Sequence, residues 1–307
     1  ALYELALVDQ KQKRPDAAAA KLRQLVDEAP NYPAMDKVLY ELGWSLREAG
    51  KDEQAAETFR QLLREAPEAT FAAEAAYFVG QQSYNASDWP TSAKYFRLAA
   101  EKTLDDNVSE KALYRLGWSM FKDSKIGDAK QAFSDQVEKH PSGDLAIDAR
   151  MMVGECLFKD GDYERALESY EKGREKIRQA DENADSVRDA AERQVRELIF
   201  LHGGQSAAQL KRWDEAIGWY DELKERFPAT AYFPQVFYET AFAYQQKNET
   251  VQALKYFSQV AERYLRREIG ARASFMMGEI HFGEKQFDKA ITEFQRVMFG
   301  FGGEEAP

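Results

Sequence analysis

The side chains best suited to catalysis or metal binding are three histidines and one cysteine, His140, His202, His281 and Cys156. A zinc site or an activated nucleophile needs such groups at short, fixed spacings, with further ligands or a base close by. Here they are widely separated and lie in different parts of the chain. We therefore predict no catalytic residue, no metal and no cofactor, and expect Cys156 to be a small buried apolar residue.

Glycine and serine motifs give no sign of catalysis either. Gly203 and Gly204 fall inside a helical pattern, and Gly302 and Gly303 are close to the end of the sequence. Neither pair has the spacing of a phosphate-binding loop, and no serine stands in a nucleophile elbow. The many acidic pairs are expected on solvated helix faces. The sequence predicts a protein that is not an enzyme.

Charge and hydropathy exclude two further classes. The chain has 307 residues, a net charge of −11 and 44 % hydrophobic residues. An acidic surface repels phosphate backbones, so we expect no nucleic-acid partner. No apolar run approaches the ~18 residues of a membrane span, so none is expected. With one cysteine, no disulfide can form within the chain.

Three classes of residue recur along the whole sequence. A small residue within a helical stretch occurs at Ala6, Gly43, Gly80, Gly117, Gly154, Gly204, Ala241 and Gly278. Another follows twelve residues later, at Ala18, Ala55, Ser92, Ala129, Ala166, Ala216, Ala253 and Ala290. A large residue follows four residues beyond that, at Leu22, Phe59, Phe96, Phe133, Tyr170, Tyr220, Phe257 and Phe294. The period is 37 residues, apart from one interval of 50.

This spacing predicts antiparallel helical hairpins. The two small residues would let the helices approach closely, and the large residue would fill the space between neighbouring hairpins. Gly50 and Gly161 are suited to the turn inside a hairpin because they adopt left-handed backbone angles. A proline ends several second helices, at Pro30, Pro67, Pro141 and Pro228. No strand pattern is present.

The pattern resembles the tetratricopeptide repeat family. Leu39 to Gly43, followed by Gly50, Ala55, Phe59 and Pro67, matches its consensus positions, and the resemblance extends over about 1–300. It implies an all-α, right-handed α-solenoid of about eight helical hairpins that binds proteins or peptides. The 37-residue period is similar to that of bacterial periplasmic repeat proteins of the Tol–Pal and outer-membrane-assembly systems. This favours the periplasm or cell envelope, with the cytoplasm as the alternative.

The long interval predicts the domain organisation. Units one to five occupy 1–173, a charged insert 174–193, units six to eight 194–300, and a tail 301–307. The insert is expected to lengthen two helices around a solvated loop, with Ser186 and Asp189 capping the second one; a hinge or docking projection is the alternative. Because the chain opens without Met inside a helical pattern, we expect a fragment of a longer array.

The resemblance also implies a concave groove lined by the first helices. Counting from the repeat glycine, groove positions lie six and three residues before it and one and four after. Units two to four place there Lys37, Tyr40, Trp44, Arg47, Glu74, Tyr77, Gln81, Tyr84, Lys111, Tyr114, Trp118 and Phe121. Later units add Met151, Phe158, Tyr238, Phe242, Phe275 and Phe282. Aromatic and basic anchors favour a peptide-binding groove; the alternative is that the aromatic residues form the core between repeats.

Three functions are compatible with these patterns. The first is a scaffold that binds a protein or peptide ligand in a bacterial envelope assembly. The second is a regulatory or substrate-recruiting region of a larger enzyme. The third is end-to-end self-association through apolar ends, with Leu2 and Leu5 at one and Met298, Phe299 and Phe301 at the other. The Lys and Asn clamp that grips the C-termini of heat-shock chaperones in this family is absent, since Tyr40 and Trp44 hold those positions.

Overall fold

Helix-forming stretches between the turn residues give sixteen α-helices in a computed structural model that describes residues 1–182, 190–264 and 266–300. No strand occurs in these ranges. The helices are α1 Leu2–Lys11, α2 Pro15–Glu28, α3 Met35–Glu48, α4 Asp52–Glu65, α5 Ala72–Asn85, α6 Trp89–Lys102, α7 Asp106–Lys122, α8 Ile126–Lys139, α9 Ala146–Lys159, α10 Tyr163–Glu182, α11 Ala190–Gln209, α12 Trp213–Arg226, α13 Phe233–Gln246, α14 Thr250–Arg263, α15 Glu268–Gly283 and α16 Phe287–Gly300. The predicted all-α fold class, an α-solenoid of helical hairpins, is confirmed.

The chain forms two compact units, Ala1–Cys156 and Leu157–Pro307. In each, a helix packs mainly against its neighbours in sequence, as expected when every hairpin buries its apolar face against the next one. Helix α9 begins in the first unit and ends in the second. No described helix is long and apolar enough to cross a membrane.

Each hairpin turns at one residue with left-handed backbone angles. These residues are Lys13, Gly50, Ser87, Ser124, Gly161, Lys211, Asn248 and Lys285, with φ between 55° and 77°. At the second hairpin the chain reverses as Gly50 N donates to Arg47 O and Lys51 N donates to Leu46 O. The predicted role of Gly50 and Gly161 is confirmed, and six other hairpins place a non-glycine residue in the same strained conformation.

The repeat glycine faces an aromatic ring of its own hairpin. A Cβ added to Gly43 would lie 2.5 Å from Phe59, and one on Gly117 would lie 2.6 Å from Phe133. The ring of the large repeat residue therefore lies directly beside the glycine, one helical turn beyond the small residue of the second helix. Phe59 is fully buried and its centroid lies 5.2 Å from that of Phe78 in the next hairpin. The predicted packing of the aromatic between hairpins is thus also present.

The 50-residue interval coincides with two longer helices. Both α10 and α11 have 20 residues, against 14 in most other helices. Residues 183–189, with the predicted caps Ser186 and Asp189, lie outside the described ranges, as does the tail 301–307. The division at 174–193 stays a prediction.

Candidate functional site

An open cavity in the first unit lies between the first helices α3, α5 and α7. Its volume of about 430 Å³ is in the range of pockets that hold a small ligand or a few side chains of a peptide. The residues around it are Trp44, Arg47, Asp52, Glu74, Tyr77, Phe78, Gln81, Gln82, Asn107, Val108 and Lys111. Three helices from successive hairpins therefore contribute to one site.

Six residues from the sequence-based groove line this cavity. They come from three hairpins: Trp44 and Arg47 from α3, Glu74, Tyr77 and Gln81 from α5, and Lys111 from α7. Their common position follows from the repeat, because equivalent positions on successive first helices face the same side. Their role in binding stays a prediction.

An arginine lies over the apolar wall of the cavity. The guanidinium carbon of Arg47 is 4.8 Å from the ring centroid of Trp44 and 5.8 Å from that of Phe78. The two rings contact each other edge to face, with centroids 6.0 Å apart. Such a stack holds a cation at an apolar surface without neutralising its charge.

The acidic residue at the cavity wall has a hydrogen-bond donor of its own. Tyr40 lies just outside, stacks on Phe71 at 4.4 Å and donates its hydroxyl hydrogen to Glu74. Burial, together with this hydrogen bond, raises the pKa of Tyr40 above its ordinary value. The other carboxylate, Asp52, occupies the first turn of α4, where the helix dipole favours negative charge.

Two cations and two amides of the cavity have no such partners. Neither Arg47 nor Lys111 forms an ion pair or a hydrogen bond with any described residue. The side-chain amides of Gln82 and Asn107 likewise make no hydrogen bond within the described part of the chain. The cavity therefore offers two cations, two carboxylates and free amide donors and acceptors beside aromatic rings, and none of these charged groups forms an ion pair with a described residue.

The remaining predicted residues of units two to four lie outside the cavity. Lys37 is exposed on α3. Tyr84 packs against Trp89 at 5.1 Å with Arg115 over its ring at 5.4 Å.

Unit four repeats the aromatic packing without contributing those rings to the cavity. Trp118 contacts Tyr114, Phe121 and Phe133 edge to face. Burial, with a smaller contribution from the charge of Asp148, raises the pKa of Tyr114 to about 12.

Equivalent positions in later hairpins are not alike. Met151 is buried, whereas Phe158, Tyr238 and Phe242 are half-buried. Phe275 and Phe282 are 48 % and 58 % exposed.

The two alternatives for the aromatic residues, groove or core, are not exclusive in this structure. Tyr40, Tyr77 and Tyr114 each contact the phenylalanine that occupies the large repeat position sixteen residues after the repeat glycine. Trp44 and Trp118 do the same, and both remain half-buried. Each ring thus contributes to packing with one edge and leaves part of its surface accessible.

Sequence reasoning missed five lining residues: Asp52, Phe78, Gln82, Asn107 and Val108. Asp52 begins a second helix, and Asn107 and Val108 lie in the first turn of α7, so none falls on a counted groove position. Phe78 occupies a position whose residue type changes from hairpin to hairpin, as with Glu41 and Arg115. No pattern in the sequence marks these five residues.

The candidate catalytic groups remain separate. His140 hydrogen-bonds Ser109 at 3.0 Å, His202 lies 6.3 Å from the ring of Phe158, and His281 is buried. Cys156 is fully buried, as predicted. Over the described ranges no three His, Cys, Asp or Glu residues converge as metal ligands would.

Comparison with known proteins gives the family and the fold. A tetratricopeptide repeat model matches residues 3–70, 40–107 and 114–185, and a second model of that repeat matches 235–264. The C-terminal part of a TPR repeat-containing protein from Cytophaga hutchinsonii is similar in structure, with a TM-score of 0.61 and 14 % identity over 83 % of this chain and 93 % of that one. The apo form of RapI has a TM-score of 0.58 and 13 % identity over 97 % and 85 %. No curated protein matches the chain.

Proposed function

Because this chain belongs to the tetratricopeptide repeat family, we propose that it is a non-catalytic scaffold that binds a segment of another protein between α3, α5 and α7. One observation carries this proposal: six groove residues counted from the sequence line a single cavity. Aromatic residues and arginine are the types that dominate binding energy at protein interfaces. Trp44 and Arg47 supply both at the cavity wall.

Capture of the partner by the intact protein tests the proposal. We expect Trp44→Ala to reduce the yield of co-purified partner about tenfold or more, since a half-buried tryptophan anchor is worth at least ~1.4 kcal/mol. Trp89→Ala is the matched control, because Trp89 packs against Tyr84 outside the cavity. Circular dichroism melts of both variants show whether the fold is retained. Equal capture by folded Trp44→Ala and wild type contradicts the proposal.

We further propose that the scaffold works in a bacterial cell envelope. The support is the 37-residue period, which is similar to that of periplasmic repeat proteins of envelope assemblies. Fractionation of cells that express the whole protein tests this, and its recovery with cytoplasmic markers alone contradicts it.

End-to-end self-association is a second candidate that one observation favours. Met298 and Phe299 on α16 are 71 % and 80 % exposed, and exposed clusters of large apolar side chains commonly mark interaction sites. Light scattering over a range of concentrations tests it. A monomer at every concentration contradicts self-association and leaves the groove proposal untouched.

A further inference from the structure

The helices α1 and α16 expose apolar side chains at repeat positions that most other hairpins bury. Resting on the proposed self-association, we infer that it is head to tail: one face of α16 packs against one face of α1 in a second copy of this chain. The α16 face consists of Ile291, Phe294, Val297 and Met298, and the α1 face consists of Leu5 and Val8. A second copy thus covers both faces with a single kind of contact.

The α16 face holds residues that second helices elsewhere bury against the next hairpin. The large repeat residue is fully buried in each preceding hairpin, whereas Phe294 is half-buried. Ile291 lies thirteen residues after the repeat glycine and is 53 % exposed. Its counterparts in the second, fifth and sixth hairpins are all buried, namely Ala56, Leu167 and Ile217. The α16 face therefore matches a surface that is made to be covered.

The α1 face holds residues that first helices elsewhere bury against the preceding hairpin. Leu5 lies one residue before the small repeat residue and Val8 two residues after it, and they are 51 % and 48 % exposed. The counterparts of Leu5 include the buried residues Leu42, Val79, Leu116, Thr240 and Met277. Those of Val8 include the buried residues Ser45, Ser119, Cys156, Ser206, Ala243 and Ile280. The α1 face is thus the complementary half of the same kind of junction.

The junction between α14 and α15 shows how two such faces fit together. Phe257, Val260 and Ala261 of α14 form one buried cluster with Met277 and Ile280 of α15. In a repeat array, each hairpin buries its apolar surface only against its neighbours. The same repeat positions brought together from two copies would therefore form an equivalent cluster.

The two end helices have apolar residues at all five of these positions. Phe294, Val297 and Met298 lie 37 residues after the three residues of α14, and Leu5 and Val8 occupy the positions of the two residues of α15. Met298 is larger than the alanine it corresponds to, and Val8 is smaller than the isoleucine. These changes in volume partly offset each other, which a packed contact tolerates best.

The packing of the hairpins favours a contact between α16 and α1 over one between two α16 faces. At the junctions α2–α3, α4–α5 and α14–α15, a second helix packs against the first helix of the following hairpin. Two α16 faces would bring two second helices together without a first helix between them. A contact between different faces also leaves one free face of each kind, so copies add in chains until a ring closes.

Sedimentation velocity of the 1–307 chain over a range of concentrations tests the inference. We expect reversible association, and Leu5→Glu and Met298→Glu should each weaken it about tenfold or more because each places a charge in an apolar contact. Val251→Glu is the matched control, because Val251 is 81 % exposed on α14 and belongs to neither face. It should leave association unchanged. Circular dichroism melts check that all three variants, each altered at an exposed side chain, keep the fold.

Mixing the two variants distinguishes a head-to-tail contact from a symmetric one. Leu5→Glu keeps an intact α16 face and Met298→Glu keeps an intact α1 face, so each variant alone lacks one half of the contact. In an equimolar mixture, the intact α16 face of one variant can bind the intact α1 face of the other. Both substitutions add the same charge, so attraction between the new side chains cannot cause pairing. We expect the mixture to form dimers that grow no further.

Four results overturn the inference. If Met298→Glu abolishes association and Leu5→Glu does not, two α16 faces pair with each other, and self-association stands without its head-to-tail form. If neither variant weakens association, another surface forms the contact. If the mixture stays monomeric, the two intact faces do not bind each other. A wild type that is monomeric at every concentration removes the self-association proposal together with this inference.

Discussion

Each compact unit contains an arginine stacked on a tryptophan, and the two pairs differ in the surrounding charge. Arg47 lies 4.8 Å from the ring of Trp44 in the first unit, and Arg174 lies 4.2 Å from the ring of Trp219 in the second. Arg47 is exposed and has no carboxylate partner among the described residues, whereas Arg174 forms an ion pair with Glu222 at 2.5 Å. The contact between cation and ring is therefore common to both, and only one cation is neutralised.

Glu222 accepts hydrogen bonds from three guanidinium groups. Arg174 and Arg178 from α10 and Arg226 from α12 all donate to its oxygens, at distances from 2.6 to 2.9 Å. Burial alone would raise the pKa of Glu222, but the hydrogen bonds from the arginines outweigh it and lower the pKa to about 2. This cluster connects α10 to α12, with Arg178 in the part of α10 that exceeds the usual 14 residues.

The two tryptophans differ in burial as well. Trp219 is fully buried, and a Cβ added to Gly203 would lie 2.7 Å from its ring. Trp44 is half-buried and forms part of the cavity wall. The tryptophan of the pair is therefore buried where a carboxylate neutralises the arginine, and partly exposed where no described carboxylate does.

Removing the Glu222 carboxylate should have the largest effect on stability. In Glu222→Ala, three arginines lose their shared partner in a mostly buried site, which we expect to lower the free energy of unfolding by about 3 kcal/mol. Urea denaturation measures the loss, and hydrogen exchange should show it in α10 and α12. Glu57→Ala, which removes a carboxylate from exposed pairs with Arg60 and Arg64, is the control and should cost less than ~1 kcal/mol. Similar losses in both variants would contradict the distinction between the two units.

The next largest effect is the difference in stability expected between alanine substitutions of the two stacked arginines. Arg174→Ala leaves part of the charge of Glu222 uncompensated and exposes Trp219, at an expected cost of about 2 kcal/mol. Arg47→Ala removes an exposed side chain without an ion-pair partner and should change stability by less than ~0.5 kcal/mol. Urea denaturation of both variants checks the difference. A loss in Arg47→Ala as large as in Arg174→Ala would mean that both arginines are structural.

Acid should weaken the second unit through Glu222, by less than the alanine substitution does. The pKa of Glu222 falls from an ordinary value of 4.5 to about 2 on folding, so its stabilisation is fully present above pH 4.5 and disappears as the pH falls toward 2. Urea titrations from pH 6 downward measure this for wild type and for Glu222→Gln, which carries no charge there. The difference in the free energy of unfolding between wild type and Glu222→Gln should disappear as the pH falls through this range. A difference that stays constant with pH would contradict the lowered pKa of Glu222.

Most of the fold could be predicted because its determinants are local and repeat. Gly50 and Gly161 mark turns, the prolines mark helix ends, and the recurring glycine marks where a ring must pack. Which side chain lies against the glycine could not be predicted: Phe59 lies four residues after Ala55, one turn along the same helix face, and spacing alone does not choose between them.

The site was predictable only as far as it obeys the repeat. Trp44, Arg47 and Lys111 occupy groove positions counted from the repeat glycine, but Phe78 does not. Nothing in the local sequence shows that Arg47 has no carboxylate partner among the described residues. Glu222 and Arg174 are 48 residues apart across the long interval, a separation that the 37-residue period does not predict. Whether an arginine is paired with a carboxylate depends on how the helices pack, and the repeat pattern carries no information on this.

The smallest expected effect compares two hairpin turns, one from each unit, in which different residues adopt the same backbone conformation. Gly50 and Lys211 have φ of 74° and 60°, and a Cβ on Gly50 would meet nothing within 4 Å, so only backbone strain distinguishes the side chains. Lys211 is exposed and forms no ion pair with a described residue. Lys211→Gly should therefore raise the free energy of unfolding by about 0.5 kcal/mol, and Gly50→Ala should lower it by about 1 kcal/mol. Thermal and urea denaturation of the two variants measure these shifts; loss of stability in Lys211→Gly would show that its side chain makes a contact that outweighs the strain.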